Sequence, residues 1–258
     1  MNRDSESGSE LLRRLGTKPL PAEFFSGYFP ESSLPTSGET IVQLSLSDLR
    51  GHSKHLFDII IRCLLPDTLS GYDACCLIID CGAQFVVSLF AKSLRQAITS
   101  NFKHQECKTS VDDIMLKALK KLHIVQVFTN REFTLALYAC RETIKQHNIS
   151  SIFVIGVNTL TDLEQLCCTN WRNMNVEHAI WINLLTRVVY EFNLICIVVE
   201  QCSPNQNQTR DTRDCENPIY PDQMTHSWMK FITHRLELVN CPPTIMSYVR
   251  NGDSFTRI

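Results

Sequence analysis

The chain has 258 residues, of which 44% are apolar and 20% charged, with a formal net charge of −2. That length and apolar content suit one α/β domain with a full core, and the near-neutral balance excludes a whole-surface electrostatic footprint for nucleic acid. Twelve cysteines without a single C-x-x-C spacing exclude a zinc ribbon and a disulfide scaffold, and they read as buried free thiols in a reducing compartment.

From the N-terminus, SESGSELLRRL over residues 5–15 reads as a short capped helix. The stretch Gly16–Gly38, with Pro19, Pro21, Pro30 and Pro35, reads as an arm lying across a surface. Residues 1–40 are therefore expected to form an N-terminal helix and arm, and residues 41–258 the core. Phe24, Phe25, Tyr28 and Phe29 in the arm either pack on this chain's own core or contact a partner. MNRDSESGSE lacks the apolar centre of a signal peptide. The longest apolar region, Trp181–Val199, is interrupted by Arg187, Glu191 and Asn193, so no membrane span is expected. These features describe an intracellular soluble protein.

Ile41–Pro66 carries the first chemical signal. An apolar run, Ile41–Leu46, meets a polar loop, Ser47–Arg50, and a helix expected to begin near Gly51 and to end at Pro66. Strand, loop and helix in this order let the amides of a helix start cradle phosphate. Against the phosphate-loop consensus G-x-x-x-x-G-K-[ST], the chain offers Leu46, four residues, then Gly51, His52 and Ser53. The second glycine and the hydroxyl are present, whereas the first glycine and the lysine are not. His52 and His55 make a weak metal pair without a third ligand; no metal site is expected.

Further along, Cys75–Asp80 reads as a buried parallel strand. Phe85–Ile98 and Val111–Leu122 read as helices, Ile124–Phe128 as a strand, and Arg131–His147 as the clearest helix. Strand Ile152–Ile155, helix Val176–Phe192 and strand Leu194–Val199 follow. Such alternation predicts a mostly parallel sheet with helices on both faces. Residues 202–223 are polar and irregular, as a functional or flexible loop would be. Leu236–Val239 and Ile245–Val249 read as strands, the second turning through Asn251–Gly252–Asp253 into a terminal antiparallel hairpin.

In this order, the chain resembles the RecA-type strand-exchange recombinases of homologous recombination, and more narrowly their short paralogues without an N-terminal domain. ESGSELLRRL over 6–15 is similar to the segment that leads into the family's core. LIIDCGAQF over 77–85, VEQ over 199–201 and SWMKFITHRL over 227–236 resemble core strand ends and the approach to the closing strands. The resemblance covers nearly the whole chain and implies a RecA-like P-loop NTPase core.

The family's nucleotide site is degenerate here. His52 stands in place of the phosphate lysine and supplies less charge. Ser53 keeps the magnesium hydroxyl and Gln201 the sensing glutamine. Gly82 falls where the family has its catalytic carboxylate, and Gly156 where it has the acid that helps hold magnesium. No catalytic residue is assigned. Phosphoryl transfer depends on positioned charge, so no ATPase is expected from this chain alone. Arg210 and Arg213 occupy the family's DNA-facing loop, but Asp211 and Asp214 follow them and nearly cancel the local charge.

The resemblance implies a non-hydrolysing subunit of a recombinase-paralogue complex. It would act in the nucleus, and also be present in the cytoplasm, in repair of double-strand breaks and damaged forks. Its partner would be another recombinase paralogue, with DNA reached through the complex. ATP and magnesium would be held weakly or at a shared subunit interface. The alternative is a weak ATP-binding, DNA-dependent ATPase or nucleotide switch in the same pathway.

Overall fold

The computed structural model describes residues 20–38, 40–46, 49–102, 110–160, 171–201, 231–240, 243–251 and 254–258. For 49–53, 102, 171–178, 201, 239–240 and 243–244 only the backbone is described. The predicted helix over 5–15, the loop over 202–223, Arg210 and Arg213 lie outside the described residues.

Eight strands form one sheet: β1 (Ile41–Leu46), β2 (Cys75–Cys81), β3 (Leu122–Val127), β4 (Ile149–Ile155), β5 (Ile195–Gln201), β6 (His234–Asn240), β7 (Pro243–Asn251) and β8 (Ser254–Arg257). Their spatial order is β3-β2-β4-β5-β1-β6-β7-β8. Strands β1 to β6 pair in parallel, whereas β7 runs antiparallel to both β6 and β8. The expected architecture, a mostly parallel sheet with a closing antiparallel hairpin, is the one observed.

Continuous apolar runs make these strands because both faces are covered. Alternate residues of β2 separate cleanly. Cys76 and Ile78 join one cluster, whereas Leu77, Ile79 and Cys81 join the other. The first face is covered by α1 (Leu49–Leu64), α2 (Val87–Phe102) and α3 (Val111–Lys120), and the second by α4 (Asn130–His147) and α5 (Trp171–Phe192). Ile59, Ile60, Cys63 and Leu64 of α1 are buried, which accounts for a helix apolar almost all round.

Local chemistry sets the helix ends. Thr129 caps α4 by accepting the Glu132 amide at 3.1 Å, and Glu132 returns a carboxylate to the Phe128 amide at 2.7 Å. This is close to a capping-box exchange. Asn148 closes the helix in the left-handed conformation, φ 51°. Ser110 caps α3, with Asp112 and Asp113 in its first turn and Lys117 and Lys120 in its last.

Several boundaries differ from the sequence reading. Helix α2 starts at Val87 rather than Phe85, because Asp80 draws the Gln84 and Phe85 amides into a turn. Leu122 begins β3 instead of ending a helix. Strand β4 starts three residues earlier than expected, at Ile149, because Ser150 and Ser151 are buried despite their hydroxyls.

The arm packs on its own chain. Phe24, Phe25 and Phe29 are buried in the first core cluster with Leu20. Phe24 meets Tyr72 edge-on at 5.3 Å, with the Arg62 guanidinium 5.6 Å from its ring centre. His234 Nε2 lies 3.0 Å from the Ser33 carbonyl, and Ser247 Oγ donates to the Tyr28 carbonyl at 2.5 Å. Of the two readings of the arm, self-packing is the one observed for Phe24, Phe25 and Phe29: these rings are enclosed by the chain's own core, which leaves them unavailable as a partner contact in this conformation. Tyr28 is half-buried beside them.

Candidate functional site at the carboxyl ends of the strands

In open parallel sheets, ligands bind outside the carboxyl ends of the strands where the strand order reverses. Here β1 holds that position. Its neighbours are β5 and β6, while the chain leaving it crosses to β2. Leu46 and Gln201 are register partners, so the ends of β1 and β5 lie side by side.

Helix α1 begins at Leu49, which leaves only Ser47 and Asp48 between it and β1. The expected loop Ser47–Arg50 is therefore shorter by two residues, and Gly51, His52 and Ser53 are the third to fifth residues of the helix. The fifth amide of a helix is the first with a carbonyl four residues back inside it. Ser53 N–H thus belongs to the helical ladder and is not turned toward an anion. The side chains of His52, Ser53 and Gln201 are not among those described.

Gly82 and Gly156 follow β2 and β4 directly. Both have left-handed backbones, φ +79° and +71°, a conformation costly for side chains bearing Cβ. The Gly82 amide donates to the Val127 carbonyl and the Gly156 amide to the Val199 carbonyl, each at 2.9 Å. A Cβ on Gly156 would meet Gln84 Oε1 at 2.4 Å. Gln84 Nε2 donates to Thr159 Oγ1 at 2.6 Å, and Thr159 donates to the Gly156 carbonyl at 2.6 Å. A neutral amide–hydroxyl bridge therefore joins the turns after β2 and β4 where the resemblance implies an acid.

Asp80 is committed elsewhere. Its carboxylate accepts the Gln84 amide at 2.8 Å and the Phe85 amide at 3.2 Å. Burial pushes its pKa up, opposed by these bonds and by one from Gln126. It holds a turn. Among the described residues, no cluster of three or more His, Cys, Asp or Glu side chains is placed to hold a metal. With a neutral bridge beside Gly156 and Asp80 occupied, the described side chains at this end of the sheet do not fit a magnesium–triphosphate group.

The opposite face of the same strands carries a polar strip that sequence reasoning missed. Gln43 and Ser45 of β1, Glu200 of β5, and Arg235 and Glu237 of β6 are all buried. Ser45 is the register partner of both Glu200 and Glu237. Gln43 Nε2 donates to Glu200 Oε2 at 2.7 Å, Arg235 pairs with Glu237 at 2.9 Å, and the Tyr248 hydroxyl lies 3.4 Å from Glu237. Burial lifts the Glu200 pKa to about 7, against the Gln43 hydrogen bond and the charge of Arg235. The signal available in the sequence was local conflict: polar Gln43 and Ser45 alternating within an apolar run.

The thiols follow expectation among the described residues. Cys63, Cys76, Cys81, Cys140 and Cys196 are free and buried, and Cys75 is free and half-buried. Burial pushes Cys63 and Cys140 up to about 12, far from a reactive thiolate. No described helix is long and apolar enough to cross a membrane. No family model and no curated protein matches the chain.

Proposed function

We propose that the chain is a non-hydrolysing subunit of a recombinase-paralogue complex that supports homologous recombination repair. One observation carries the reading. The sheet is mostly parallel with β1, followed directly by a helix, at the reversal of strand order, which supports reading it as a nucleotide-binding type of core, yet its carboxyl end has left-handed glycines at 82 and 156 and a neutral Gln84–Thr159 bridge. A scaffold retained without positioned charge suits assembly rather than phosphoryl transfer. Its own site lacks the charges, so nucleotide and most DNA affinity come from the partner paralogue.

Affinity purification of the full chain from nuclei tests this. The expected result is another recombinase paralogue recovered in stoichiometric amount, and a purification without any such paralogue overturns the reading. Equilibrium titration with a fluorescent ATP analogue, with and without magnesium, separates the nucleotide-switch alternative. Saturable, magnesium-dependent binding favours the switch.

A further inference from the structure

At the other end of the sheet, a cleft of about 510 Å³ opens between α5 and the chain entering β1 and β6. We propose that it binds a short peptide segment of a partner chain, one carrying an apolar side chain beside a carboxylate. Asn183, Thr186, Arg187 and Tyr190 line one side. Their spacing of i, i+3, i+4 and i+7 places them on a single face of α5. The floor is apolar, with Ile41 and Val189 buried and Phe231 half-buried.

Charge and shape select the occupant. Arg187 is the sole charged residue of the lining and makes no ion pair among the described residues. It calls for one carboxylate. Tyr190 stands at the rim 74% exposed, the kind of aromatic that anchors interfaces beside an arginine. Asn183, Arg187 and Tyr190 are all exposed, so the cleft is open along the helix. At ~1.5 Å of rise per residue, positions 183 to 190 span about 10 Å, the length of roughly three extended residues. One arginine is too little for a nucleic-acid backbone, whose binding rests on several neutralised phosphates.

The test uses the full chain and a set of labelled hexapeptides, each placing an apolar residue next to Asp or Glu in either order. Fluorescence anisotropy is expected to show saturable binding for a subset with a shared order. Arg187→Glu should weaken it at least tenfold and Tyr190→Ser several-fold. Replacing the peptide's acid by Asn or Gln should cost a similar factor, with no further loss on the Arg187→Glu chain. Both side chains are exposed, so unchanged thermal melts accompany the variants. Failure of the whole set to bind overturns the proposal, as does binding indifferent to both substitutions or displaced by a single-stranded oligonucleotide. The inference is independent of the assembly role. Peptide binding without a co-purified paralogue leaves the cleft assignment standing. A paralogue recovered in full by a chain that binds none of the peptides removes the cleft assignment alone.

Discussion

Burial raises the Glu200 carboxyl from an ordinary 4.5 to about 7, and this ties stability to pH. Between those values the folded chain keeps a proton that the unfolded chain has released. Stability therefore falls as pH rises through the window, by a total on the order of 3 kcal/mol from this group. Glu200→Gln removes the ionisation while keeping an acceptor for Gln43. The variant should melt higher than the parent at pH 8 and nearly equal to it at pH 4.5. A melting difference independent of pH would contradict the linkage, with Arg235 nearby as the charge that opposes it.

Gly156 carries a second residue-scale prediction. Gly156→Asp would supply the acid that the resemblance implies at this place, but it meets a left-handed backbone and the Gln84 amide at 2.4 Å. The expected cost is about 1–3 kcal/mol in chemical denaturation, with no gain in ATP hydrolysis. Since the clash is with the end of a flexible side chain, Gln84→Ala should recover part of that loss. A Gly156→Asp chain of parental stability would show that the backbone had relaxed.

At the scale of elements, the arm is part of the first core cluster. Phe25 is fully buried between the arm and the first core cluster. Phe25→Ala should destabilise the chain by about 3–5 kcal/mol, read from the denaturation midpoint. A loss below about 1 kcal/mol would mean that the arm is peripheral. The end of α4 offers a milder test. Thr129→Ala removes a cap bonded to the Glu132 amide and should cost about 1 kcal/mol.

Across the whole molecule, the proposed reading sets three departures from an ATPase at the carboxyl end of the sheet: on the resemblance, His52 stands in place of lysine, and Gly82 and Gly156 in place of acids. His52→Lys alone should leave turnover undetectable, because neither carboxylate returns. Steady-state phosphate release from that variant, with DNA present, is the measurement. Recovered hydrolysis would refute the reading of the site as charge-depleted.

The sequence by itself determined the fold class. Apolar runs over Ile41–Leu46 and Cys75–Asp80 and the periodic face of α4 are local signals, set by burial on both faces. It also placed glycines at 82 and 156, directly after two strands, which needs only residue identity. Tertiary structure decided what depends on neighbours distant in the chain. Only packing placed Phe24, Phe25 and Phe29 inside their own core, joined Gln84 to Thr159 across two strand ends, and aligned Gln43, Ser45 and Glu200 through strand register. It also began α1 at Leu49 and so took the Ser53 amide into the helix. Register, burial and helix starts follow from the summed contacts of separate elements, and no window of sequence contains that sum.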